Sequence, residues 1–496
     1  MPPFDDTTPS DRVPALSLVD RRGFFSWGLR GLGATALLDL LHREGSLRAG
    51  EARDQATRAP GGSYRLVPKV RRAVQITVVG GLSHLDSFDY NPELARFPGK
   101  TLQTDTPPDI FFGQVGLIRK NDWEFHPRGR SGLFLSELFP HIAGIADDLT
   151  IIRSMTAESA NHTPALFVLN SGFQFNGYPA LGSWLSYGLG SESEDLPAYV
   201  VLPDGRGEPN GAASNWTSGF LPAEHQGAVF RGGPEPVRNL RPARPVDPAA
   251  ERAAREFLAG VNDEHAREHG EESILTARIR SYELAARMQT AVPEAADLGG
   301  EPASIRARYG LDRPETADCG RRCLLARRLL ERGVRFVQIY SGGPIAGNPR
   351  TSWDAHENVK ENHSAEAVRI DQPVAALVRD LKQRGMLEDT LVLFTTEFGR
   401  TPFAQSAASV VGPGRDHNRY GFSCWLAGGG LKPGIAHGAT DEIGWKAVES
   451  PVPWHDFHAT LLHLLGIDHE RLTFYHNGIR RRLTNVHGRV IREILA

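Results

Sequence analysis

The stretch Ala73-Val74-Gln75-Ile76-Thr77-Val78-Val79, closed by Gly80-Gly81 and followed by Leu82-Ser83-His84-Leu85-Asp86, decides the fold. A short, β-rich, largely apolar run that stops at two glycines reads as a buried parallel strand. Runs of the same kind recur at residues 149–152, 198–202, 334–340, 390–395 and 423–427. Helical patterns lie between them at 133–146, 320–332, 365–383 and 456–465. Strands alternating with helices predict an α/β fold, a mostly parallel central sheet sandwiched by helices.

Four acidic-and-histidine clusters fall where these strands end: Gly80 to Asp86, Trp353-Asp354-Ala355-His356, Thr396-Glu397-Phe398-Gly399-Arg400-Thr401-Pro402 and Gly414-Arg415-Asp416-His417. The carboxyl ends of neighbouring strands in an open α/β sheet converge on one crevice, so ligands more than three hundred positions apart can meet there. The pattern therefore reads as a divided metal site. Oxygen and nitrogen donors without thiolate suit zinc, manganese, magnesium or calcium.

Asp86 and His84 stand just past the first strand, with Asp89 in reserve. Asp354 and His356 alternate, and extended backbone points both side chains to one side. Glu397 ends the apolar strand Leu391-Val392-Leu393-Phe394, where an unpaired carboxylate is costly and a nearby cation removes the cost; a salt bridge to Arg400 or Arg415 is the alternative. His417 is an imidazole ligand candidate that Asp416 would orient. Arg153, Arg400 and Arg415 are candidates for holding an oxyanion, since guanidinium matches such groups with paired hydrogen bonds. His458 and His463 are read as core or surface histidines.

With 496 residues, 40% hydrophobic and 23% charged, the chain is ordinary globular material. A formal net charge of -3 gives no electrostatic case for nucleic acid. Cys319, Cys323 and Cys424 cannot form a disulfide framework and read as small buried hydrophobes.

Asp20-Arg21-Arg22-Gly23-Phe24-Phe25 and the moderately apolar stretch to Leu41 resemble a twin-arginine export signal, which implies a bacterial, periplasmic destination. Arg30 and Asp39 make the stretch too polar for a transmembrane helix, and no other segment is apolar enough to span a bilayer. The expected organisation is a signal segment at 1–45, a linker at 46–70 and one domain at 71–490. Within that domain, the Pro- and Gly-rich stretch 205–248 and one or two helices over 249–290 form an insertion at about 205–300 that reads as a cap.

The order of motifs is similar to that of the bacterial family called domain of unknown function 1501, within the alkaline phosphatase and sulfatase-like superfamily. The matching pieces are Asp20-Arg21-Arg22, Gly80 to Asp89, Ile152-Arg153-Ser154-Met155, Cys323 to Leu329, Trp353 to His356, Glu397 to Pro402, Arg415-Asp416-His417 and the tail from Ala459 to Thr484. This resemblance implies an alkaline phosphatase-like domain and hydrolysis of a sulfate or phosphate ester at one or two divalent ions. It also implies a nucleophile at a helix start beside the metal.

The comparable segment here, Asn161-His162-Thr163-Pro164, has His162 where sulfatases place cysteine, so a formylglycine mechanism is not expected. Thr163 becomes the candidate nucleophile, and His162 a candidate metal ligand or proton donor. Phe398, where metallo-phosphatases often have His or Asn, puts a full two-metal site in doubt. The alternative to a hydrolase is an exported binding or assembly protein that keeps the fold without turnover.

Overall fold

The computed structural model describes residues 64–103, 108, 110–231, 236–237, 247–269, 273–345 and 350–496. The chain divides into two compact units, Met1–Arg58 and Ala59–Ala496, and all described residues fall in the second. The arginine-pair motif at 20–25 lies outside them.

The run that opens at Ala73 is a strand buried along nearly its whole length, and eight more strands join its sheet. In chain order they are β1 (Arg72–Val78), β2 (Leu149–Thr156), β3 (Tyr199–Leu202), β4 (Ala228–Val229), β5 (Phe336–Ser341), β6 (Thr390–Thr396), β7 (Phe422–Gly428), β8 (Ile435–His437) and β9 (Val452–Pro453). Across the sheet the order is β8-β2-β7-β6-β1-β5-β3-β4, with β9 paired to β2. Only β7 runs antiparallel to its neighbours β2 and β6, so the expected mostly parallel sheet is present.

The longer helices are α1 (His162–Ser171), α2 (Leu181–Leu189), α3 (Pro248–His269), α4 (Ser273–Ala296), α5 (Ala317–Glu331), α6 (Val359–Gln383) and α7 (Trp454–Leu464). Alternate residues of a strand face opposite sides of its sheet. Val74, Ile76 and Val78 accordingly pack with Leu324, Leu329, Ile370 and Leu377 of α5 and α6. Ala73 and the adjoining Val79 belong to a second core with Leu166, Trp184 and Leu461 of α1, α2 and α7. Helices thus cover both faces, which is why the central strands are buried nearly throughout and mostly apolar. Among the described residues no helix is long and apolar enough to cross a membrane.

The helical expectation over 133–146 is corrected. Leu133–Ser136 is a strand paired with Phe125–Arg128, and α-helix is confined to Pro140–Ala143, with a 3-10 turn from Ala146. Proline disfavours helical backbone in the residue before it and suits the first position of a helix, so Phe139-Pro140 favours a helix that starts at the proline. In the insertion, α3 and α4 appear as two helices. Met288, Val292 and Ala295 of α4 enter the core shared with α5, and Arg328 of α5 donates to the Glu294 and Ala295 carbonyls. Cys319 and Cys323 are buried free thiols, as is Cys424.

Candidate metal centre

The register levels the strand ends that carry the site. Val78 pairs with Ser341 of β5 on one side and Thr396 of β6 on the other, so the loops after all three strands start from one rim. Two glycines let those loops cross. Gly80 has φ +121, and a Cβ on it would lie 2.4 Å from the Asp354 backbone nitrogen. A Cβ on Gly414 would lie 1.6 Å from the His356 carbonyl oxygen. The Trp353 N–H donates to the Val79 carbonyl at 2.8 Å, fixing that crossing.

Four ligand-type side chains meet there. His162, Asp354, His356 and His417 are all buried, and one donor atom from each lies within 4.8 Å of the others. Asp354 Oδ1 is 2.8 Å from His356 Nε2, 3.3 Å from His417 Nε2 and 3.5 Å from His162 Nε2. His162 opens α1, Asp354 and His356 lie in the loop before α6, and His417 sits on the short strand Arg415–Asn418. That strand pairs antiparallel with Gly399–Ala404, a hairpin that the polar sequence conceals.

The other ring nitrogen of each histidine has an acceptor. His162 Nδ1 faces Glu397 Oε1 at 2.7 Å, His417 Nδ1 faces the Ala160 carbonyl at 2.6 Å, and His356 Nδ1 faces Gln405 Oε1. A carbonyl or carboxylate partner requires the proton on Nδ1, which leaves the Nε2 lone pair free. Three such lone pairs then point towards one carboxylate oxygen. His162 Nε2 is buried without a hydrogen-bond partner. A proton would satisfy one of these contacts; a divalent cation would satisfy all of them. The residues present therefore fit a metal ion, with three nitrogens and one oxygen as donors.

Electrostatics agrees with an anionic centre. Burial opposes the charged form of Asp354, but the Arg400 guanidinium and the hydrogen-bonded imidazoles hold its carboxyl far below the usual range. Burial also opposes protonation of His162, yet the Asp354 and Glu397 carboxylates beside it, the latter accepting from Nδ1, raise its pKa above the ordinary histidine value. His417 is driven well below it, chiefly by burial.

The remaining sequence candidates lie around this cluster rather than in it. Glu397 stands behind His162 and also accepts from the Gly80 N–H at 2.8 Å. Asp86 accepts from Ser83 Oγ at 2.6 Å, the Asp122 N–H at 2.6 Å and Arg415 Nε at 3.2 Å, so its oxygens are already engaged. His84 Nε2 is bonded to the Gly444 carbonyl at 2.7 Å, and Asp89 accepts from Thr440. Asp416 does not hold the His417 ring; it accepts from the backbone N–H groups of His417 and Phe112. Thr163 is half-buried at the second position of α1, next to the cluster in sequence.

The three arginines are turned inward. Arg400, fully buried, donates to the carbonyls of Gly80, Gly81 and Arg415 and, at 2.6 Å, to Asp354 Oδ1. Arg415 donates to Asp86 and to the Thr401 and Lys120 carbonyls, and Arg153 Nε to the Gly438 carbonyl. Sequence reasoning missed Arg350, a half-exposed guanidinium bonded to Asp354 Oδ2 and Glu357. It also missed Gln405 and the rings of Phe111 and Phe112, which lie against His417 and His356. Arg350 lies only four residues before Asp354, in a loop without a helical or strand pattern to align the two, whereas Gln405, Phe111 and Phe112 acquire their places from tertiary contacts.

A mostly parallel sheet with a three-histidine, one-aspartate cluster at its carboxyl rim defines an α/β protein with a candidate metal centre. The chain belongs to the family described as protein of unknown function (DUF1501), whose model matches residues 70–495. No curated protein matches it in sequence. Similar solved structures include the phosphonate monoester hydrolase SpPMH from Silicibacter pomeroyi, with 12% identity over 72% of this chain and 71% of that one, TM-score 0.34. Another is the PsFucS1 sulfatase from Pseudoalteromonas sp., with 14% identity over 83% and 74%, TM-score 0.35. A third is a magnesium-bound mutant of TAB5 alkaline phosphatase, with 10% identity over 82% and 99%, TM-score 0.33.

Proposed function

We propose that the chain is an exported, metal-dependent hydrolase of sulfate or phosphate esters, holding one divalent ion on His162, Asp354, His356 and His417. The observation that carries this reading is the convergence of three Nε2 lone pairs on Asp354 Oδ1, each ring locked through its Nδ1. Imidazole-rich donor sets suit zinc or a neighbouring transition metal better than calcium, which prefers oxygen ligands. One ion rather than two is favoured because Asp86 is paired with Arg415, while the Arg400 guanidinium already stands as a fixed cation against Asp354.

When bound, the ion would supply positive charge for an ester oxygen and for the attacking group. Glu397 keeps His162 oriented with a proton on Nδ1, so that Nε2 is the nitrogen turned towards the ion. Thr163 follows His162 on α1 and is assigned as the nucleophile, its hydroxyl at the positive end of the helix. Arg350, tied to Asp354 and half-exposed, is placed to meet an oxyanion in the role first sought in Arg153, Arg400 and Arg415.

Metal content by mass spectrometry, followed by hydrolysis of aryl phosphate and sulfate esters with and without chelation, tests the proposal. Stoichiometric metal and turnover lost in Thr163→Ala are expected; metal-independent turnover would defeat it. The inward-turned arginines favour a second reading, a metal-holding binding protein without turnover, which metal-dependent hydrolysis would exclude. Export is tested separately: Arg21→Lys with Arg22→Lys should retain the protein in the cytoplasm of a host with a twin-arginine pathway, whereas unchanged periplasmic recovery would refute that route.

A further inference from the structure

The buried cluster is flanked by two groups of aromatic rings that differ in exposure. Phe398 lies with its ring centroid 4.5 Å from His417 and 4.8 Å from His162, and it is 0% exposed. That ring is a wall, keeping water from the imidazoles as apolar shells do around metal ligands. Phe111 and Phe112 also contact the cluster, at 5.0 Å from His417 and 4.7 Å from His356, yet they are 46% and 52% exposed.

Large apolar rings left half in water beside a buried cluster are not needed to seal it, because a shielding residue would be buried as Phe398 is. The two rings meet edge to face at 4.9 Å, and the Phe112 N–H is tied to Asp416 Oδ2 at 3.0 Å. They therefore form a positioned apolar surface at the cluster's margin, the kind of lining that ligand sites present next to a few polar groups.

We infer that Phe111 and Phe112 form an aromatic platform that receives the alcohol portion of the ester, and that this portion presents a flat, weakly hydrated face. An aryl ring or the C–H face of a sugar ring supplies that chemistry; a short alkyl group does not. The inference rests on the ester-hydrolase reading and extends it to substrate selection.

Calorimetric titration of the metal-loaded protein with phenylphosphonate, with the phosphonate analogue of glucose 6-phosphate and with methylphosphonate tests it, since none carries an ester bond and binding is read independently of turnover. Phenylphosphonate or the glucose phosphonate should bind roughly tenfold more tightly than methylphosphonate, the scale of favourable ring contacts. Which of the two gains identifies the source of the flat face. The Phe111→Ala, Phe112→Ala variant should lose that preference while keeping wild-type metal content and methylphosphonate affinity, which shows that the centre itself is intact. Equal binding of all three ligands to the wild type, or a preference that survives in the variant, would overturn the platform and leave the anion site standing. Failure of all three to bind would overturn the ester reading and the platform together.

Discussion

Asp86 and Asp354 are both buried carboxylates in loops that leave the carboxyl rim of the sheet, and both are held below the usual carboxylate range against the effect of burial. Their partners differ. Asp86 has a guanidinium, a hydroxyl and a backbone N–H. Asp354 has the Arg400 and Arg350 guanidiniums, but Oδ1 also faces three imidazole nitrogens whose protons are drawn to the opposite side of each ring. On the proposed reading, position at a strand end and a depressed pKa therefore do not distinguish a ligand from a structural ion-pair member. The lone pairs left over after all partners are counted do.

The comparison breaks first at Asp354. Asp354→Ala should weaken metal binding on the order of a hundredfold or more, since changes even to groups behind the ligands cost ten- to a hundredfold; mass spectrometry of dialysed protein reads the loss. Asp86→Asn should do the reverse. It strands the buried Arg415 charge and should lower stability by about 3–5 kcal/mol in urea unfolding, with metal content unchanged. If Asp86→Asn also stripped the metal, the division between the two carboxylates would be wrong.

Asp204, two residues beyond β3, extends the Asp86 class. It is bonded to Arg206 and accepts from the Gly342 N–H at 2.8 Å. Burial opposes its charge, but the Arg206 hydrogen bonds and the Arg322 charge lower its pKa from 3.8 to about 2. A depressed folded-state pKa contributes stability above the unfolded value that is lost as pH falls towards the folded one. Asp204→Asn should accordingly cost ~2 kcal/mol at neutral pH, and the gap to wild type should close between about pH 4 and pH 2. A gap that stays constant over that range would show the effect is not the charge. The smallest effect is expected at Gln405, the acceptor behind His356: Gln405→Ala should weaken metal binding about tenfold, read by competition with a chelator.

The strands were legible because burial on both faces leaves continuous apolar runs, and the loops after β1, β5 and β6 were legible because ligand-type residues stood where those runs stopped. Asp354, His356 and His417 were accordingly within reach of sequence reasoning. The pairing of Asp86 with Arg415 was not legible, because the two are 329 positions apart and only the fold brings that guanidinium to it. Glu397 was read as a ligand for a sound reason, the cost of a bare carboxylate at a strand end; in the structure His162, the first residue of α1, and the Gly80 N–H meet that cost. The Gly399–Ala404 and Arg415–Asn418 hairpin escaped notice because Arg, Thr, Asp and His give it no apolar alternation. The short strand at Leu133–Ser136 was taken for helix because its apolar spacing suits both periods, and Pro140 alone argued otherwise.

The central claim is tested most directly by the metal content of purified wild-type protein beside the His356→Ala, His417→Ala variant. One divalent ion per wild-type chain, absent from the folded variant, is the predicted result. Metal-free wild type that is folded and stable, or an ion retained by the variant, would contradict a centre built on His162, Asp354, His356 and His417.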